Sequence, residues 1–118
     1  MFLTKLKEFD EYIDFYTITQ FEQNGDNLRF RMIISFKDTS KLHVKEIIID
    51  GKKRKYGYQW LDQNDNLICR WDNAPDWPNI PTFPHHKHFQ AEDNVMPSEN
   101  IEFSTILREL IQMMVEKQ

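Results

Sequence analysis

The 118-residue sequence predicts an α+β fold, an antiparallel meander sheet of about five strands with an N-terminal and a C-terminal helix packed on one face. Three observations predict it. Apolar residues recur at steps of three and four near both ends of the chain and at steps of two through the middle. Short connections rich in Asn, Asp and Gly join the period-two segments, which makes neighbours antiparallel, because a parallel pair needs a crossover of about a dozen residues. No repeat, low-complexity tract or change of composition divides the chain, so residues 1–118 are expected to form a single domain.

Taken in order, Phe2, Leu6, Phe9 and Ile13 fall at helical spacing among charged residues, which predicts a short amphipathic helix without a convincing N-cap. The aromatic and β-branched run 15–23 predicts a first strand, ended by the turn signal Asn24-Gly25-Asp26. Leu28, Phe30, Met32, Ile34 and Phe36 alternate without a fault and give the cleanest strand. Leu42, Val44 and Ile48 mark a third strand, closed by Asp50-Gly51. Tyr56, Tyr58 and Trp60 mark a fourth, and Leu67, Cys69 and Trp71 a fifth. Beyond a proline-rich stretch, a short strand is expected within Thr82 to Phe89, then a polar linker from Gln90 to Glu99. The stripe Phe103, Ile106, Leu107, Leu110, Ile111 and Met114 predicts the C-terminal helix, with Ser98 as its N-cap.

Composition excludes several classes. With 40% hydrophobic and 29% charged residues, the chain is expected to build its own core and carry a water-compatible surface. Its one cysteine, Cys69, rules out an internal disulfide and a cysteine cage for zinc, and a reducing compartment follows naturally. Charges interrupt MFLTKLKEFDEY every few residues, so a signal peptide, a membrane span and membrane binding are not expected, and a soluble cytoplasmic protein is. The net charge of −4 argues against indiscriminate binding to nucleic acid.

Charge is nevertheless patterned. On the face away from the predicted core, alternation places Arg29, Arg31 and Lys37, then Lys41, His43 and Lys45, then Lys53 and Lys55. Such a band suits an RNA backbone or an acidic partner, although any solvated face needs charges. The run Lys52-Lys53-Arg54-Lys55 reads as hairpin chemistry. On the other face, Glu46 interrupts the inward series Leu42, Val44, Ile48. A carboxylate there must be paired, raised in pKa or set at a cleft edge, which makes it an acid–base candidate. A bulge near Lys45, or an ion pair with Arg70, explains it equally well.

Chemistry concentrates in RWDNAPDWPNIPTFPHHKH, Arg70 to His88, which holds three of the four histidines and four of the five prolines. Prolines make it an irregular, stiff connection, with Trp77 to Pro81 as spacer. In an extended segment His86 and His88 share one side and His85 takes the other. Imidazoles flanking Lys87 suit proton transfer near neutral pH, phosphate binding or a metal, and the alternative is a loop braced by histidine-to-carbonyl hydrogen bonds. Candidate metal ligands are His85, His88 and Asp72. The helical two-histidine zinc signature is absent, and no cofactor is implied.

The series YGYQWLD, ICRWDNAP and PTFPHHKH, followed by an amphipathic helix, resembles the TumE-type toxin family, long described as a domain of unknown function. The resemblance spans almost the whole chain from the second strand onward, and RWDNAP and FPHHKH are its most specific parts. It implies the toxin half of a bacterial or archaeal toxin–antitoxin pair, with a helix-turn-helix antitoxin as partner and repressor. Where family members carry histidines after DNAP, this chain has Asp76 and Trp77, which leaves His85 to His88 as the histidine group.

Residues and resemblance together suggest a toxin that acts on RNA as a metal-independent ribonuclease. The expected catalytic set is His86, His88, Lys87, Arg70 and Asp72, with Glu46 as a further candidate; Tyr58 and Trp60 would stack or pack beneath it, although a role as core aromatics suits them better. The nucleic-acid or partner face is Arg29, Arg31, Lys41, His43, Lys45 and Lys55. One alternative is a non-enzymatic module whose basic face docks the antitoxin and whose Asp72 and Asn73 brace the histidine loop. A metal-dependent hydrolase is the other. The oligomeric state stays open, a homodimer included.

Overall fold

The computed structural model describes residues 2–116. Helix α1 (Phe2–Glu8) leads through a 3₁₀ turn, Asp10–Tyr12, into seven strands: β1 (Ile13–Asn24), β2 (Asn27–Phe36), β3 (Lys41–Ile49), β4 (Lys53–Leu61), β5 (Leu67–Asp72), β6 (His86–Phe89) and β7 (Val95–Pro97). Helix α2 (Phe103–Glu116) follows. The strands stand side by side in chain order, each antiparallel to the next.

The α+β meander is therefore present, with seven strands in place of five. The added edge is β6, expected as a short strand, and β7, which lies inside the segment expected as a polar linker. Three residues are too few to show a period, and β7 exists only through its pairing with β6. Helix α1 ends earlier than the periodicity suggests, because the backbone tightens at Phe9 and turns into β1. Ser98 does not cap α2. Its N–H donates to Thr82 Oγ1 at 3.0 Å, and the helix starts five residues later at Phe103, just after Glu102, whose C=O accepts from Thr105 and Ile106.

Turn chemistry sets the register. Asp50 and Gly51 both have positive φ, 55° and 65°, the handedness that matches strand twist in a tight hairpin. Lys52 N–H closes that turn on Ile49 O, and Gly51 N–H reaches Asp26 O in the neighbouring turn at 2.8 Å. With register fixed, alternation sorts every side chain to one face.

Both helices lie on the same face. Leu6, Ile13 and the α2 stripe pack onto Phe30, Met32, Ile34, Leu42, Val44, Tyr58, Trp60, Cys69 and Trp71. Phe2 stacks on Phe30 at 4.4 Å between ring centroids and leans on Phe103 at 5.0 Å. Each fully buried large side chain contributes about 1.5–3 kcal/mol of burial free energy, which here sums over one continuous core. Tyr58 and Trp60 belong to that core, the role that suits them better from sequence. No helix among the described residues is long and apolar enough to cross a membrane.

Candidate active site

The face without helices carries the chemistry. Cross-strand register aligns Arg31, Lys45, Gly57, Asp72 and His86 in one row, and Ile33, His43, Gln59, Arg70 and His88 in the next. These rows floor an open basin of about 700 Å³, walled by Ala74, Asp76 and Trp77 after β5 and by Glu92 after β6. Gly57 has no side chain between Lys45 and Asp72, and a Cβ there would meet nothing within 4 Å, so the floor is hollow at that point. The Trp77 indole and the His88 ring meet edge to face, 6.2 Å between centroids.

At one end of the basin two imidazoles and a carboxylate converge. His86 and His88 are each only 2% exposed. Nδ1 of His86 lies 2.9 Å from Pro84 O, and Nδ1 of His88 lies 2.7 Å from Glu92 O. A carbonyl only accepts, so both Nδ1 atoms carry the proton and both Nε2 atoms turn inward. Nε2 of His86 is 3.0 Å from Asp72 Oδ1, and Nε2 of His88 is 3.6 Å from Asp72 Oδ2. Asp72 also accepts from Ala74 N–H at 3.0 Å and from Arg70 Nε at 3.2 Å.

Arg70 joins the two rows. Its Nη1 and Nη2 reach the Glu92 carboxylate at 2.7 and 2.5 Å, and Nη2 approaches His88 Nε2 at 3.3 Å. Gln59 Oε1 lies 3.4 Å from Nη1. The fork is thus spread over two carboxylates and one imidazole, a rigid arrangement that a lysine could not reproduce.

The expected site residues divide. Arg70, Asp72, His86 and His88 come together, and Arg31, His43 and Lys45 line the same basin. Arg29, Lys41 and Lys55 lie on the same face outside it, with Lys41 paired to Asp65 at 3.3 Å. Glu92 and Asp72 neutralise Arg70, so the positive charge of the basin lies at Arg31 and Lys45.

Three expectations are corrected. Lys87 points to the other side of β6, toward Glu109 at 3.7 Å, as strand alternation requires. His85 precedes β6 and also sits on the helix side, its Nδ1 sharing a 2.9 Å hydrogen bond with the Tyr56 hydroxyl, so it is not a ligand beside Asp72. Burial, helped by Arg54, pulls the His85 imidazole down from its usual pKa, and burial pushes Tyr56 up to about 12. Glu46 does point inward, without a bulge in β3, but it is remote from the basin, under α2. Its partner is Arg54 and not Arg70, through bonds of 2.8 and 3.1 Å, and it also accepts from the Tyr58 hydroxyl. Arg54 further donates to Asn100 Oδ1 and Ile101 O, tying β4 to the start of α2.

Asn73 braces the β4 backbone, accepting from Tyr56 N–H and donating to Arg54 O, while Asp72 alone meets the histidines. Sequence reasoning missed Gln59, Gly57, Glu92 and Arg54. Arg54 had a signal, since Arg54, Tyr56, Tyr58 and Trp60 share one face by alternation. Glu92 had none, because its role depends on how the β6–β7 connection folds back.

Searches of curated proteins and of solved structures found no match. The family model described as "Toxin TumE" matches residues 3–118, nearly the whole chain and all of the basin. This chain therefore belongs to the TumE toxin family and is the toxin component of a toxin–antitoxin pair.

Proposed function

We propose that this toxin acts on RNA as a ribonuclease, with the scissile phosphodiester held in the basin on the uncovered face. The observation that carries the reading is the run of cations Arg29, Arg31 and Lys45 leading to a buried Asp72–His86–His88 cluster. Lys45 lines the basin beside Arg31 and can meet a phosphate there, whereas Arg29 faces Glu22 across the β1–β2 ladder. Gly57 leaves the hollow that a phosphate needs between Lys45 and Asp72. Arg70 stands where it can stabilise charge developing on the phosphorane oxygens.

In the cleavage step an oxygen nucleophile loses its proton and attacks phosphorus, the P–O bond to the leaving nucleoside breaks, and that oxygen takes up a proton. Direct proton transfer by the imidazoles would need an Nε2 facing the phosphate. Both Nε2 atoms instead face Asp72, and that of His88 is already approached by Arg70. This favours a reaction in which the cluster presents a further group to the phosphate, over the metal-independent route expected from the sequence. The resemblance supports a helix-turn-helix antitoxin, and the single buried thiol supports a cytoplasmic setting.

The test is incubation of the purified toxin with end-labelled single-stranded RNA, and with DNA of the same sequence. Cleavage of RNA by the wild type and not by a folded Asp72→Asn variant is the expected result. Tight antitoxin binding with no turnover of RNA would favour a non-enzymatic module, and cleavage of DNA alone would change the substrate.

A further inference from the structure

We propose that Asp72, His86 and His88 form a binding site for one divalent transition-metal ion, with its open positions facing the basin. The inference rests on the ribonuclease reading for the use of the ion, whereas the binding itself stands on ligand geometry.

One oxygen of Asp72 and one nitrogen from each histidine lie within 4.8 Å of one another. Bonds of ~2.1 Å at angles near those of a tetrahedron or octahedron put neighbouring ligand atoms ~3.0–3.5 Å apart. The Asp72 contacts, Oδ1 to His86 Nε2 at 3.0 Å and Oδ2 to His88 Nε2 at 3.6 Å, are at or just beyond that spacing before any ion is added, and a small turn of the carboxylate brings one oxygen toward both nitrogens.

Orientation points the same way. Each imidazole is locked by a hydrogen bond from Nδ1–H to a backbone carbonyl, the outer support that fixes a ligating histidine with its Nε2 lone pair forward. No other donor among the described residues reaches His86 Nε2, so either a proton or a metal ion stands between that nitrogen and the Asp72 oxygen 3.0 Å away, and a metal ion in that place is ligated by both.

Two imidazoles and a carboxylate suit zinc, manganese, ferrous iron, cobalt or nickel better than magnesium or calcium, which favour all-oxygen shells. Three protein ligands leave positions for water or a phosphate oxygen, as sites that act on substrates do. Arg70 is the one group that must adjust. Its Nη2 leaves His88 Nε2, and the bidentate contact to Glu92 already holds the fork in place. Asp76 and Glu92, each four residues from a proposed ligand, are further carboxylates on the basin wall.

The test uses full-length, tag-free toxin titrated with Zn²⁺, Mn²⁺ and Co²⁺ by calorimetry, with the visible spectrum of the Co²⁺ form as a second readout. One ion per chain is expected, with a Co²⁺ spectrum indicating nitrogen and oxygen ligands. Changes in outer-shell partners alone weaken metal sites by roughly 10–100-fold, so His86→Ala and His88→Ala should each lose at least about tenfold. His85→Ala, on the other side of the sheet, should bind like the wild type. If a histidine variant does not fold, the wild-type stoichiometry and spectrum still decide. Failure of the folded wild type to bind an ion stoichiometrically overturns the inference, as does undiminished binding by a folded double variant. Metal binding without RNA cleavage upholds the site and rejects the ribonuclease. RNA cleavage in chelator by protein that binds no ion does the reverse.

Discussion

Nε2 of His86 faces Oδ1 of Asp72 at 3.0 Å, while Nδ1 of the same ring is held by the carbonyl of Pro84. Asp72 sits directly across the β5–β6 ladder from His86, as Arg70 does from His88, so strand register alone assembles the site. An Asp72→Asn variant keeps the shape and can still accept from Ala74 N–H, but it loses the charge. It should remain folded by circular dichroism and lose growth inhibition when expressed without antitoxin.

Gly57 gives a test that does not touch a charged group. Because an added Cβ has open space, Gly57→Val should leave the fold intact and can raise stability by about 0.5–1 kcal/mol, since glycine is unfavourable inside a strand. The same side chain fills the hollow between Lys45 and Asp72. Thermal melting should show an equal or higher midpoint, alongside loss of RNA turnover.

The basin lysine acts through phosphate charge. Lys45→Ala should weaken single-stranded RNA binding uniformly across sequences and reduce the salt slope of log K by roughly 0.7 for each phosphate that the lysine neutralises. Binding measured at several salt concentrations checks it, and an unchanged slope would remove Lys45 from the RNA path.

Glu46 should matter for stability and not for chemistry. Its carboxylate is 8% exposed and its partner Arg54 26% exposed. Arg54→Met leaves Glu46 buried without its main partner and should cost about 3 kcal/mol in chemical denaturation. Glu46→Leu combined with Arg54→Met should cost less than the sum of the single changes, because neither then leaves an unpaired charge.

His43, on the basin floor, has its pKa lowered from 6.5 by burial and by Lys41, with Asp65 opposing. The unfolded chain therefore binds more protons in the window just below that value. Stability from this group is fully present above 6.5 and declines as pH falls toward the folded pKa. His43→Gln should flatten that part of a stability-against-pH curve.

Much of this fold is legible from periods and turns. The faultless alternation from Leu28 to Phe36, the α2 stripe and Asp50-Gly51 each encode local geometry in residue type. Tertiary pairing was not legible: β7 has no pattern of its own, and Glu92 becomes a partner of Arg70 only after the chain folds back. Site chemistry divides the same way. Alternation already separates His86 and His88 from His85 and Lys87, but sequence alone cannot show that Pro84 and Glu92 carbonyls turn both Nε2 atoms onto Asp72. Arg54 was readable as the inward partner of Glu46 and was masked by the basic run around it.

The central claim is that the basin is the toxic site, and a His86→Asn/His88→Asn double variant tests it most directly. Expressed without antitoxin and shown to be folded by its near-ultraviolet circular dichroism, it should permit normal growth where the wild type arrests it. A folded double variant that arrests growth as strongly as the wild type would contradict the account.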